Sequence, residues 1–279
     1  TCEALETLGM VHGSLGDCER AADCCLKAID IAGRLGYRQI ITRASITLGN
    51  VRASQHWFGE AVYWYQNAGV LAHAIDDRQA ISWAASNIAL LLARRGDYAR
   101  AAAGYEHSLR NAWEIGDRWT ACLNLAGLAT VYEHLGQAGR AESLYRTAIR
   151  VGYRLHIPAY VTGMLVSLAR CLLAQGRAAE ARALHDEALA QMAGVAGPNL
   201  SGEDRHFDTV LLGIRLRLAL SELTAGDAAA ELRTLLRGAT PPQQAALQYE
   251  LWQVAPEEEA ARAAAAQFYR TEHAETGAE

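Results

Sequence analysis

A phrase of helix-forming residues returns every 40 positions, and that period limits the possible folds more than any other feature of the chain. The phrase runs through a small residue, six further positions, a turn residue, a polar pair, an alanine, an aromatic and a second small residue. The first small residue is Gly9, Gly49, Ala89, Ala129 and Ala169, and the turn position reads Gly16, His56, Gly96, Gly136 and Gly176. Then come Ala21, Ala61, Ala101, Ala141 and Ala181; Cys25, Tyr65, Tyr105, Tyr145 and His185; and Ala28, Ala68, Ser108, Ala148 and Ala188. Small residues at these spacings let two antiparallel helices approach closely, and a ring fills the gap beside them. One such hairpin cannot bury its apolar face alone, so hairpins must stack on their neighbours.

Composition agrees with an all-α fold. Only five residues are Pro, and the Ala, Leu, Arg and Glu that dominate the repeats are good helix formers. Gly-Asp at Gly16-Asp17, Gly96-Asp97, Gly116-Asp117 and Gly226-Asp227 supplies a left-handed C-cap followed by an N-cap, and is expected to mark turns between helices. His56 stands where glycine is usual, so it must either adopt a left-handed backbone or change the turn.

The order Leu128-Ala129, Tyr132, Gly136, Ala141, Tyr145, Ala148 resembles the tetratricopeptide repeat signature, and the same frame fits five consecutive units over roughly residues 1–190. The period of 40 exceeds that family's usual value of about 34, which implies longer helices, as in scaffolding and regulatory members. The resemblance implies a right-handed α-solenoid, a superhelix of stacked antiparallel hairpins. The expected division is five regular hairpins over 1–193, an inserted loop at 194–204, a divergent sixth hairpin at 205–240 and a capping helix pair with a frayed tail at 241–279. The insert is rich in turn formers, and Pro241-Pro242 is expected to break the chain before the cap.

No constellation of catalytic or metal-binding residues emerges. His12 and Cys25 share a hairpin, but the frame puts them at the packing slots of Tyr132 and Tyr145. No Cys-x-x-Cys or helical His pair suggests a metal, no glycine-rich run suggests ATP or NAD, and Asp76-Asp77 reads as a helix start. We therefore expect no cofactor, no metal and no enzymatic activity. The net charge of −5 has Arg and Glu interspersed without a basic block, which disfavours direct nucleic-acid binding. No apolar run approaches the roughly 20 residues of a membrane span. Six cysteines without regular pairing point to a reducing compartment, the cytoplasm, and the near-total use of Arg over Lys to a GC-rich bacterial source.

Tetratricopeptide arrays bind partners on the concave surface lined by the first helix of each hairpin. Carried onto this sequence, that groove is expected to hold Arg43, Asn50, Trp83, Asn87, Arg94, Thr130, Glu133, His134 and Arg170. Arg and Asn on rigid helices can hold a peptide backbone or carboxylate, and Trp83 supplies apolar area. The rings of Trp57, Phe58, Tyr63 and Trp64 form either inter-repeat core or an exposed patch. The expected function is a protein- or peptide-binding scaffold or sensor within a larger bacterial signalling protein, its partner including a neighbouring domain of that protein. The alternative is an autonomous receptor for a small ligand or signalling peptide.

Overall fold

Helix ends recur at half the sequence period. Gly16, Gly36, His56, Asp76, Gly96, Gly116, Gly136, His156 and Gly176, spaced by 20 residues, all take positive φ, between 53° and 80°. At Gly96 the turn shows how one short segment ends one helix and starts the next. Its own N–H donates to the Ala93 carbonyl at 3.0 Å, the Asp97 N–H reaches back to the Leu92 carbonyl at 2.9 Å, and Asp97 Oδ1 then accepts from the Arg100 N–H at 3.2 Å. The glycine therefore supplies the left-handed residue of a Schellman close, and the aspartate caps the following helix. Asp17, Asp77 and Asp117 cap in the same way, whereas Tyr37, Trp57, Gln137 and Ile157 stand at N-caps without a side-chain hydrogen bond.

The computed structural model describes residues 1–194, 202–256 and 259–277, which fall into two compact units. The first unit, Thr1–Leu155, contains α1 (Cys2–Ser14), α2 (Cys18–Leu35), α3 (Arg38–Ser54), α4 (Phe58–Ala74), α5 (Arg78–Arg94), α6 (Tyr98–Glu114), α7 (Arg118–His134) and α8 (Ala138–Arg154). Its helices pack as consecutive hairpins, α1 on α2 through α7 on α8, and each hairpin stacks on the next. The second unit, His156–Glu279, contains α9 (Pro158–Ala174), α10 (Ala178–Gly194), α11 (Gly202–Ala219), α12 (Ala225–Leu236), α13 (Pro241–Val254) and α14 (Glu259–Gly277). Here α9 packs on α10, α10 on α11, α12 on α13 and α13 on α14. Among the described residues the chain is entirely helical, a helical-repeat fold built from stacked hairpins. No described helix is long and apolar enough to cross a membrane.

The repeat stripe forms the contact between paired helices. Ala21, Ala61, Ala101, Ala141 and Ala181 are fully buried, as are Ala28, Ala68, Ser108, Ala148 and Ala188, with Cys25, Tyr65, Tyr105, Tyr145 and His185 buried between them. Close approach explains the need for small partners. A methyl group added at Gly49 would lie 2.5 Å from the Tyr65 ring, and one at Gly9 2.5 Å from the Cys25 sulfur.

The second unit departs from the regular frame. Gly226-Asp227 marks no turn. Both residues lie in the first turn of α12, because Thr224 is the N-cap, accepting from the Asp227 N–H at 3.2 Å, and the left-handed residue is Ser221. Pro241 and Pro242 begin α13, the helix position where a missing N–H costs nothing. Of the expected insert, Gly194 ends α10 and residues 202–204 begin α11, while 195–201 lie outside the described residues. Leu211, Ile214, Leu232, Leu247 and Leu251 form the core of this unit, and Arg215 pairs with the buried Glu250.

Candidate functional site

The first helices of the four hairpins in the first unit, α1, α3, α5 and α7, share a wall around a cavity of about 520 Å³. This volume falls within the range of ligand sites. Of the groove residues expected from sequence, Arg43, Asn50, Trp83 and Asn87 line it, as do Ser86 and Leu123 at further groove positions of the same frame, joined by Glu6, Met10, Trp119 and Thr120.

Asn50 is the hub of its polar wall. Tyr65, buried in the hairpin contact, donates its hydroxyl to Asn50 Oδ1 at 2.7 Å, and Asn87 Nδ2 donates to the same oxygen at 3.2 Å. Burial pushes the Tyr65 hydroxyl well above its ordinary value, with Arg94 acting weakly in the other direction, so this donor is always present near neutral pH. Both contacts use the Asn50 oxygen, and among the described residues the Asn50 amide nitrogen and the Asn87 carbonyl oxygen make no hydrogen bond, which leaves a donor and an acceptor on two neighbouring residues of the cavity wall.

Two further networks fix the apolar wall. Trp83 Nε1 donates to Thr120 Oγ1 at 2.9 Å, and Thr120 donates in turn to Asp117 Oδ2 at 2.6 Å. With its N–H satisfied, Trp83 offers a ligand only carbon surface. Ser86 donates to Asn124 Oδ1 at 2.6 Å, Asn124 Nδ2 to Ser108 Oγ at 2.7 Å, and Ser108 to the Ser82 carbonyl at 2.7 Å. Both paths run between neighbouring hairpins, so the positions of the lining side chains depend on the stacking.

The remaining expected residues lie elsewhere. Arg94 is exposed near the hydroxyls of Tyr65 and Tyr105. Thr130 Oγ1 is 2.8 Å from the Tyr145 hydroxyl, which donates to Glu133 Oε2 at 3.2 Å, and His134 stacks on Tyr98 with ring centroids 4.7 Å apart. Arg170 stands half-buried on α9 of the second unit. Glu6, Trp119 and Thr120 were not singled out by the sequence. Glu6 lies in the first repeat, and Trp119 and Thr120 precede the groove positions that the family frame marks on α7.

The aromatic cluster divides. Tyr65 is core and Trp64 packs beside Cys25 and Leu48, while Trp57 and Tyr63 are exposed, with the Arg52 guanidinium 4.7 Å above the Trp57 ring. Cys25 is buried. Burial first, then the neighbouring Cys24 and Glu6, pushes its thiol up to about 12, so it holds no thiolate at neutral pH. Asp77 caps α5, accepting from the Ala80 N–H at 3.0 Å, and does not pair with Asp76.

No family model matches the chain. No curated protein sequence matches it either. Among solved structures it is similar to the apo form of the quorum sensor NprR from B. thuringiensis, with a TM-score of 0.74 and 18% identity over 96% of this chain and 74% of that one. NprR in complex with its cognate peptide NprX gives a TM-score of 0.66 and 17% identity over 96% and 74%. The apo form of RapI gives a TM-score of 0.71 and 12% identity over 99% and 98%. These likenesses establish the tetratricopeptide-like helical-repeat fold.

Proposed function

We propose that this chain is a tetratricopeptide-type module that binds a short extended segment of another protein or a peptide on the first-helix wall of its first unit. The observation that carries the reading is the Asn50 and Asn87 pair. A free amide donor beside a free amide acceptor matches the C=O and N–H that one extended residue presents, and a paired asparagine anchor is independent of the ligand's sequence. Trp83 and Trp119 add apolar area for ligand side chains. The likeness to a quorum sensor solved with its cognate peptide supports this reading. Arg94, Thr130, Glu133 and His134 would contact only a longer partner, such as a neighbouring domain of a larger bacterial signalling protein in the cytoplasm, and Arg170, on the second unit, is no part of this wall.

The role is binding, and the buried Cys25 thiol argues against the one nucleophile that the sequence suggested. The test is selection of random peptides displayed against the full chain. Recovered peptides are expected to lose roughly 30-fold or more in affinity on Trp83→Ala and on the paired change Asn50→Ala with Asn87→Ala. They should bind unchanged to Trp113→Ala, an exposed ring on α6. Recovery of no peptide, or equal binding to all variants, refutes the reading.

A further inference from the structure

Glu6 is the feature of the cavity that peptide main-chain binding leaves unused. It stands on α1, its side chain is 4% exposed, and it borders the cavity. Its Oε2 accepts from Arg43 Nη2 at 2.9 Å. Its other oxygen, Oε1, is buried and meets no hydrogen-bond donor. A buried carboxylate oxygen without a donor is costly to the fold and gains most from any donor that arrives.

Arg43 meets only part of this demand, because it bonds one of the two oxygens and its side chain is 46% exposed. Glu6 and Arg43 are the charged side chains among the described residues that line the cavity, and its wall also carries Trp83 and Trp119. Since the Trp83 N–H is spent on Thr120, its ring offers a π surface, and indole faces attract cations. The last torsion of a glutamate turns with little resistance once the half-exposed Arg43 side chain shifts with Oε2, which lets Oε1 meet a donor entering the cavity while α1 stays in place.

We infer that the cavity takes a cationic group, a primary ammonium or a guanidinium, that hydrogen-bonds Glu6 Oε1 with its charge against the indole rings. The inference rests on the peptide reading above, so the group belongs to a peptide, as a Lys or Arg side chain or as a free amino terminus. Arg43 occupies Oε2 and competes for the carboxylate, which leaves Oε1 as the acceptor for the ligand.

The test uses the full chain and one pool of random hexapeptides in four versions: acetylated with a fixed internal lysine, acetylated with norleucine there, acetylated with glutamate there, and norleucine with a free amino terminus. Binding is read by fluorescence anisotropy at moderate and raised salt, because the net charge of −5 attracts any cation weakly and salt screens that effect more than a buried pair. At least one cationic version should bind about tenfold tighter than the acetylated norleucine pool. Whether it is the lysine or the free amine identifies the source of the charge. In Glu6→Gln the advantage should fall below about threefold.

Tightest binding by the glutamate pool, equal binding by all four, or an advantage that survives Glu6→Gln overturns the inference. Should Glu6→Gln fail to fold, Arg43→Met decides. The lysine advantage widens there if Glu6 receives the cation, and an unchanged advantage overturns the proposal. If no pool binds the wild-type chain, the peptide reading itself fails and this one with it. Pools that bind, weaken on Trp83→Ala and show no charge preference leave that reading standing and sink only the cation.

Discussion

The smallest decision in this fold is whether a position has a Cβ. Gly49 lies flat against the Tyr65 ring, whose hydroxyl reaches past it to Asn50 in the cavity wall. One small residue thus connects hairpin packing to the binding face. Gly49→Ala should destabilise the protein by about 1–3 kcal/mol, because the new methyl must displace a buried ring. Gly33→Ala, on α2 with nothing within 4 Å of the new methyl, should stabilise it by about 0.5–1 kcal/mol. Urea midpoints of the two variants against wild type check both signs, and similar shifts for both would contradict the packing account. These residues were legible in the sequence because glycine and tyrosine recur at fixed spacing. Glu6 was not, since a single glutamate on a first helix reads as a solvated face until its neighbours are in place.

At the scale of the element, the turns were only partly visible. The sequence displays a period of 40, yet the backbone has one of 20, because both kinds of turn, within hairpins and between them, close through one left-handed residue. Glycine advertises that residue at Gly16, Gly36, Gly96, Gly116, Gly136 and Gly176, while His56, Asp76 and His156 take the same conformation without the signal. At these three positions the chain takes the left-handed conformation without the residue that adopts it most easily. Gly226-Asp227 misled for the complementary reason: the pair carries the right chemistry but Thr224 lies nearer the helix start and takes the cap. Asp76→Gly should therefore raise stability by about 0.5–1 kcal/mol, and Gly96→Ala should lower it by about 1–2 kcal/mol, since an L side chain is disfavoured in the left-handed region. Thermal melts of the two variants measure this, and a loss of stability in Asp76→Gly would mean that the turn is not under strain.

At the scale of the molecule, the repeat dictates which helices face a ligand. Every second helix of the first unit is committed to the core of its hairpin by an Ala, a Tyr or Cys and a second small residue, which leaves α1, α3, α5 and α7 to line the cavity. The family resemblance located Arg43, Asn50, Trp83, Ser86, Asn87 and Leu123 among the lining residues and missed Trp119 and Thr120, the second of which accepts from Trp83 of the neighbouring hairpin. Hydrogen–deuterium exchange of the full chain, with and without a saturating peptide selected from a random library, tests the central claim most directly. The account predicts added protection in α1, α3, α5 and α7, with α2, α4, α6 and α8 little changed. Protection concentrated on the second helices, or none on the cavity wall while the peptide is bound, would contradict it.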